Sequence, residues 1–136
     1  MLKSVFVKAI TPDPFDTENF VLYLLNEEDD VALAVQISYD STKVLTLASQ
    51  KSPAPRPHVH DTMRRMVAAL GGRVVCCIIN FYSNSIYYAC VRIERDGSQY
   101  DIDSKVTDAV SIAIRCEAPI YVESGILHKQ GIRFAD

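Results

Sequence analysis

Residues 56–71 read Arg-Pro-His-Val-His-Asp-Thr-Met-Arg-Arg-Met-Val-Ala-Ala-Leu-Gly, and this stretch decides the fold. Pro57 suits a first helical turn, because its fixed φ fits there and its missing N–H would be unpaired anyway. Met63, Met66, Val67 and Leu70 follow i, i+3, i+4, i+7 spacing, the pattern of one buried helix face. Gly71 and Gly72 can take the left-handed conformation that ends a helix. His60 and Asp61 fall in the first turn, where free N–H groups favour negative charge. A histidine and a carboxylate adjoin on a rigid element only here, so candidate chemistry starts at this turn.

Upstream, residues 4–10 alternate and are β-rich, which predicts a strand. Residues 11–18 hold Pro12 and Pro14 among acids and read as a loop. Strands are expected at 20–26 and 31–37, joined by a solvated acidic tip at 27–30. Hydroxyls at 38–41 can cap a short helix over 43–50 that buries Val44, Leu45 and Ala48. A Pro-rich connector, 51–55, leads into the central helix.

Downstream the pattern restarts. Residues 73–82 form a strong strand, Ser83-Asn84 a tight turn, and 86–95 the returning strand. Asp96-Gly97 turns into a strand at 99–103. Thr107 can cap a helix over 108–116, apolar on most sides and therefore expected to be buried. A short strand at 120–122 and a helical turn at 125–130 follow. Centring the hairpin on Ser83-Asn84 sets Cys77 opposite Cys90. A redox pair or, more commonly in a cytosolic core, two buried free thiols would fit there. Phe81, Tyr82, Tyr87 and Tyr88 suit cross-strand packing or a dimer contact better than base stacking.

The two halves match in order, and an offset of 67 residues sets Ser41 on Asp108 and Val21 on Tyr88. Duplicated β3α2 units are the natural reading, about 1–70 and 71–136, within a single domain. Helices too few for alternating crossovers argue for an α+β fold with one strongly curved mixed sheet and a shared core.

Hydrophobic residues make up 49% of the chain and charged ones 23%, ordinary for a globular domain. A net charge of −3 weighs against tight non-specific nucleic-acid binding through a dominant basic surface. No apolar run is long enough to span a bilayer, and the first ten residues lack the apolar centre of a signal peptide. A cytoplasmic protein with no membrane partner is expected, and the apolar fraction points to a homo-oligomer, a dimer first. The four cysteines fit neither a zinc ribbon nor a Cys-x-x-Cys pair.

Several short motifs together carry a resemblance: Arg56-Pro57…His60-Asp61, the helix to Leu70-Gly71, Tyr88-Ala89, Ile102-Asp103-Ser104…Asp108-Ala109, and Ala118-Pro119-Ile120-Tyr121-Val122. Over nearly its whole length the chain resembles the bifunctional nuclease (BFN) domain, also known as domain of unknown function 151. The resemblance implies a duplicated β3α2 fold with a barrel-like sheet and a nuclease acting on RNA and DNA. Departures from the family pattern are plain. Ser41 stands where an acid is usual, Val59 where a threonine is usual, and Lys105-Val106-Thr107-Asp108 where Arg-Pro-Ser-Asp is usual.

Phosphodiester hydrolysis needs charge stabilised on phosphate oxygens and an activated water, which carboxylates holding Mg²⁺ or Mn²⁺ can supply. Asp61, Asp103 and Asp108 are the candidate metal ligands. His60, Asp61 and Asp108 are the candidate catalytic groups, and no organic cofactor is expected. Arg56 can clamp a phosphate bidentately, with an ion pair as its ordinary alternative, and Lys105 is the second candidate for substrate binding. Asp61 and Asp108 also suit plain capping of helix N-termini, in which case Asp61→Asn costs only about 1 kcal/mol. A non-catalytic binding or assembly module on the same fold is the alternative function. If the nuclease reading holds, the His60–Asp61 turn must approach the Asp103–Asp108 turn.

Overall fold

The computed structural model describes residues 1–50 and 56–133, so the expected connector over 51–55 lies outside the described residues. Period-two patterning lays down the sheet. β1 (Leu2–Pro12), β2 (Asn19–Asn26) and β3 (Val31–Ser38) form one antiparallel meander. β4 (Arg73–Ser83), β5 (Ile86–Arg95) and β6 (Ser98–Ser104) form a second. Short β7 (Ile120–Glu123) joins them, antiparallel to β1 and parallel to β4. β8 (Ile132–Arg133), which carries no readable pattern, pairs with β3. Among the described residues, one mixed sheet of eight strands results, in the order β6-β5-β4-β7-β1-β2-β3-β8. It is open, with β6 and β8 as its ends, where a barrel-like sheet was expected. Val21 and Tyr88 both fall in middle strands of the two meanders, and the duplication itself stays a proposal.

The second hairpin turns one residue later than expected. Asn84 and Ser85 both take positive φ, 51° and 65°, as a two-residue loop matched to strand twist requires. A register shift between Ile79 and Phe81 then sets Cys77 opposite Val91 and Ile78 opposite Cys90. The expected facing of Cys77 and Cys90 is therefore corrected. Cys77 lies in the main core, and Cys90 joins Cys76 and Ile78 in a separate small cluster. Burial pushes the Cys77 thiol up to about 12, which makes it inert rather than redox-poised. The aromatics near the turn pair across the strands, Phe81 with Tyr88 and Tyr82 with Tyr87, at centroid distances of 5.4 and 4.6 Å.

Among the described residues, four helices accompany the sheet: α1 (Tyr39–Gln50), α2 (Val59–Ala69), α3 (Val106–Arg115) and α4 (Ser124–Gln130). The Ser41 N–H donates to Ser38 Oγ at 3.3 Å, so the expected hydroxyl cap starts α1, four residues earlier than the pattern suggested. α3 is the central helix. It packs on β4 and β5 and buries Ala109, Val110, Ile112 and Ala113. It begins at Val106 behind Lys105, so Thr107 sits inside the first turn rather than at the cap. α1 and α2 both pack against α3. No helix among the described residues is long and apolar enough to cross a membrane.

α2 corrects two expectations. It starts at Val59 with His58 as its N-cap, because the Asp61 carboxylate reaches back to the His58 N–H at 3.0 Å. Pro57 thus lies just outside the helix. The apolar stripe is not buried either: Met63 is 42% exposed, Met66 60% and Leu70 65%. His60 is the buried residue of the helix. Its polar contacts with α3 set the rotation of α2 and turn the stripe outward.

Candidate functional site

Asp61 and Asp108 occupy the same place in two helices, the third residue after the cap. Local capping explains why acids are tolerated there. Tertiary contacts then separate their roles. Asp61 Oδ1 accepts from Arg115 Nε at 2.9 Å, and its other oxygen accepts from the His58 N–H. The Arg115 side chain is only 7% exposed, and its remaining nitrogens donate to the carbonyls of Ser111 and Val44. Burial would raise the Asp61 pKa, but the His58 N–H and the Arg115 guanidinium outweigh it and hold the carboxyl below its ordinary 3.8. This ion pair ties α2 to α3 and, through Val44, to α1.

Asp108 faces the other way. Its Oδ1 accepts from His60 Nε2 at 2.9 Å. His60 is 5% exposed, whereas the Asp108 side chain is 47% exposed. A buried imidazole therefore holds one oxygen of a carboxylate whose remainder meets solvent. With Nε2 donating, His60 Nδ1 is a buried nitrogen without a hydrogen-bond partner among the described residues, a costly arrangement that capping alone does not explain. The His60–Asp108 contact brings the two acidic turns together, while the Asp61 carboxylate is directed to Arg115.

Asp108 also stands where two depressions meet. One is a cavity of about 160 Å³ among α1, α2 and α3, lined by Asp40, Ser41, His60, Thr107 and Ser111. The other is a groove of about 850 Å³ between α2 and the β5–β6 edge. Asp103 and Lys105 line that groove with Asp108, and Arg56 is exposed just ahead of α2. Among the described residues, no three His, Cys, Asp or Glu side chains are grouped so as to hold a metal ion. Asp61 is committed to Arg115, and Asp103 is exposed on β6. The expected set Asp61, Asp103 and Asp108 does not form a metal centre by itself.

Two contributors escaped the sequence. Arg115 lies seven residues after Asp108, two helical turns along the same face, and that spacing was its available signal. Asp40 is one residue before Ser41, at the cavity wall, where the family resemblance directs attention to the missing acid.

Comparison with known proteins places the chain in a family. The model of the bifunctional nuclease domain matches residues 22–135. An uncharacterized protein of Mycobacterium tuberculosis is 30% identical over 116 residues, covering 85% of this chain and 69% of that protein. Bifunctional nuclease 2 of Arabidopsis thaliana is 26% identical over 118 residues, and Bifunctional nuclease 1 of Oryza sativa subsp. japonica is 23% identical over 116. Those matches cover 83% of this chain but only 36% and 35% of the two plant proteins. By the extent of the domain match, the chain belongs to the bifunctional nuclease domain family.

Proposed function

We propose that the chain hydrolyses phosphodiester bonds of RNA or DNA, with the reaction centred on Asp108. The observation that carries this reading is the 2.9 Å contact between buried His60 and half-exposed Asp108, at the junction of cavity and groove. His60 holds one carboxylate oxygen in place and leaves the other to accept a proton from an attacking water. Lys105, three residues earlier at the cap of α3, offers positive charge to a phosphate, and Arg56 is a second candidate for that contact. Asp61 acts through Arg115, as a positioning residue. The names of the plant relatives support the substrate class. Mg²⁺ or Mn²⁺ assistance enters only as a variable to test, and no step depends on it here.

A binding or assembly module is the second reading. It is favoured by the commitment of Asp61 to Arg115 and by the apolar lining of the groove, which suits side chains better than phosphates. Incubation of the purified chain with labelled single- and double-stranded RNA and DNA, with Mg²⁺, with Mn²⁺ and with chelator, separates the two. Cleavage under any condition that Lys105→Ala weakens through KM supports the nuclease. Intact substrates under all of them select the module.

A further inference from the structure

Lys105 and Asp108 account for one end of the groove beside α2, and most of the rest of its lining is apolar. Strand register fixes the layout. Arg95, the last residue of β5, pairs with Ser98 at the start of β6, and Lys105 follows Ser104 at its end. β6 has 7 residues, so about 23 Å of strand, at ~3.3 Å per residue, separates the levels of the two cations. Between them, Ile93 pairs with Tyr100 and Val91 with Ile102, and all four line the groove. Met63, Met66 and Leu70 of α2 form the facing wall. Tyr100 is 51% exposed and Met66 60%, so both walls are open to a ligand.

We propose that the groove takes an unpaired nucleobase of the substrate, laid flat between Met66 and Tyr100, with the phosphate chain running on to Lys105. The inference rests on the nucleic-acid reading of the Asp108 site and names the strand form which that site accepts. Charge decides which part of a nucleotide enters. Arg95 and Lys105 are matched in the lining by Asp103 and Asp108, so charge draws no polyanion in along its length. An entering group is held by its faces instead. A base has two apolar faces and hangs from the backbone that Lys105 meets. Aromatic side chains stack on any base, and flexible thioethers adapt to a ring. The volume of about 850 Å³ lies in the range of ligand clefts. Among the described residues, Arg95 makes only an exposed 3.6 Å contact with Asp96, which leaves it available to a further phosphate at the far end. In a duplex the faces of a base are covered by its neighbours, and drawing it out costs both stacking and pairing. The groove therefore selects single strands.

Fluorescence anisotropy of the full chain, in chelator and with the probes checked to be intact, tests it. The probes are the tighter-binding of oligothymidylate and oligouridylate, about six nucleotides long, the same backbone without bases, and a duplex of the same sequence. The base-bearing single strand should bind at least about 10-fold more tightly than either of the others. Tyr100→Ala should weaken it about 10-fold and leave the abasic strand unchanged. Tyr100→Phe should restore binding, because stacking needs the ring and not the hydroxyl. Lys105→Ala should weaken single strands with and without bases alike, the mark of a phosphate contact. Tyr100 is half exposed, so the melting curve of its variants should match that of the unaltered chain. No binding to any probe, equal affinity for base-bearing and abasic strands, or an equal Tyr100→Ala loss on both overturns the proposal. A duplex bound as tightly as the single strand does so too. A solution mass of twice 15.2 kDa that Tyr100→Ala halves, with oligonucleotide binding untouched, gives the groove to a second copy and also overturns it. Base-dependent binding without cleavage in Mg²⁺ or Mn²⁺ supports the groove assignment and removes only hydrolysis. Cleavage indifferent to Tyr100→Ala and to the loss of bases removes only the groove assignment.

Discussion

α2 and α3 begin alike and end up opposite. Both carry an aspartate at the third position after the cap, and both follow it with apolar residues at helical spacing. α3 puts its apolar side into the core and leaves its aspartate half exposed. α2 sends its aspartate to a buried arginine and leaves its apolar stripe outside. Periodicity tells which residues share a face. What that face meets is decided by the strongest tertiary partner, here the Asp61–Arg115 and His60–Asp108 contacts that anchor the inner side of α2.

The comparison can be broken at its anchor. Asp61→Ala leaves Arg115 charged and unpaired in the interior, and such a loss costs about 3–5 kcal/mol, well above the ~1 kcal/mol of a lost cap. Chemical denaturation reads the difference, and a loss near 1 kcal/mol would return Asp61 to simple capping. Matched truncations sharpen the contrast between the two helices. Ile112→Ala in α3 should cost about 2–5 kcal/mol, whereas Met66→Ala in α2 should stay within about 0.5 kcal/mol for the monomer. Equal costs would contradict the opposite burial of the two faces.

Acid offers a milder probe of the same anchor. The folded-state pKa of Asp61 lies below its ordinary 3.8. Its contribution is therefore present above the unfolded value and lost as pH falls through the folded one. Melting temperatures followed downward from pH 5 should drop more steeply for the unaltered chain than for Asp61→Asn. Parallel curves would show that the ion pair contributes nothing specific.

Much of the fold was legible because alternation and turn residues speak locally. Residues 86–95 were bounded to the residue, and the neighbouring strands to within one or two. A hydroxyl cap within 38–41 and Gly71 with its φ of 82° after α2 were legible for the same reason, although the start of α1 was placed four residues late. The hairpin register was missed because the turn is Asn84-Ser85 rather than Ser83-Asn84, polar residues that composition alone does not separate, and the bulge at Ile79/Phe81 makes up only one of the two positions lost. β8 was missed because two residues hold no period. At the site, His60 and Asp108 were legible as residue types at helix starts. Their contact spans 48 positions, and only tertiary packing brings it about. Arg115 was missed because a basic residue in a last helical turn reads as a response to the helix dipole.

The central assignment gives the two equivalent aspartates different work. Single-turnover cleavage of a labelled RNA or DNA by Asp108→Asn and Asp61→Asn, each compared with the unaltered chain at equal folded fraction, tests it most directly. Asp108→Asn should lose at least about 100-fold in rate, as removal of a general base does, while Asp61→Asn should keep most of its activity once corrected for unfolding. Equal losses in both variants, or full activity in Asp108→Asn, would contradict the assignment.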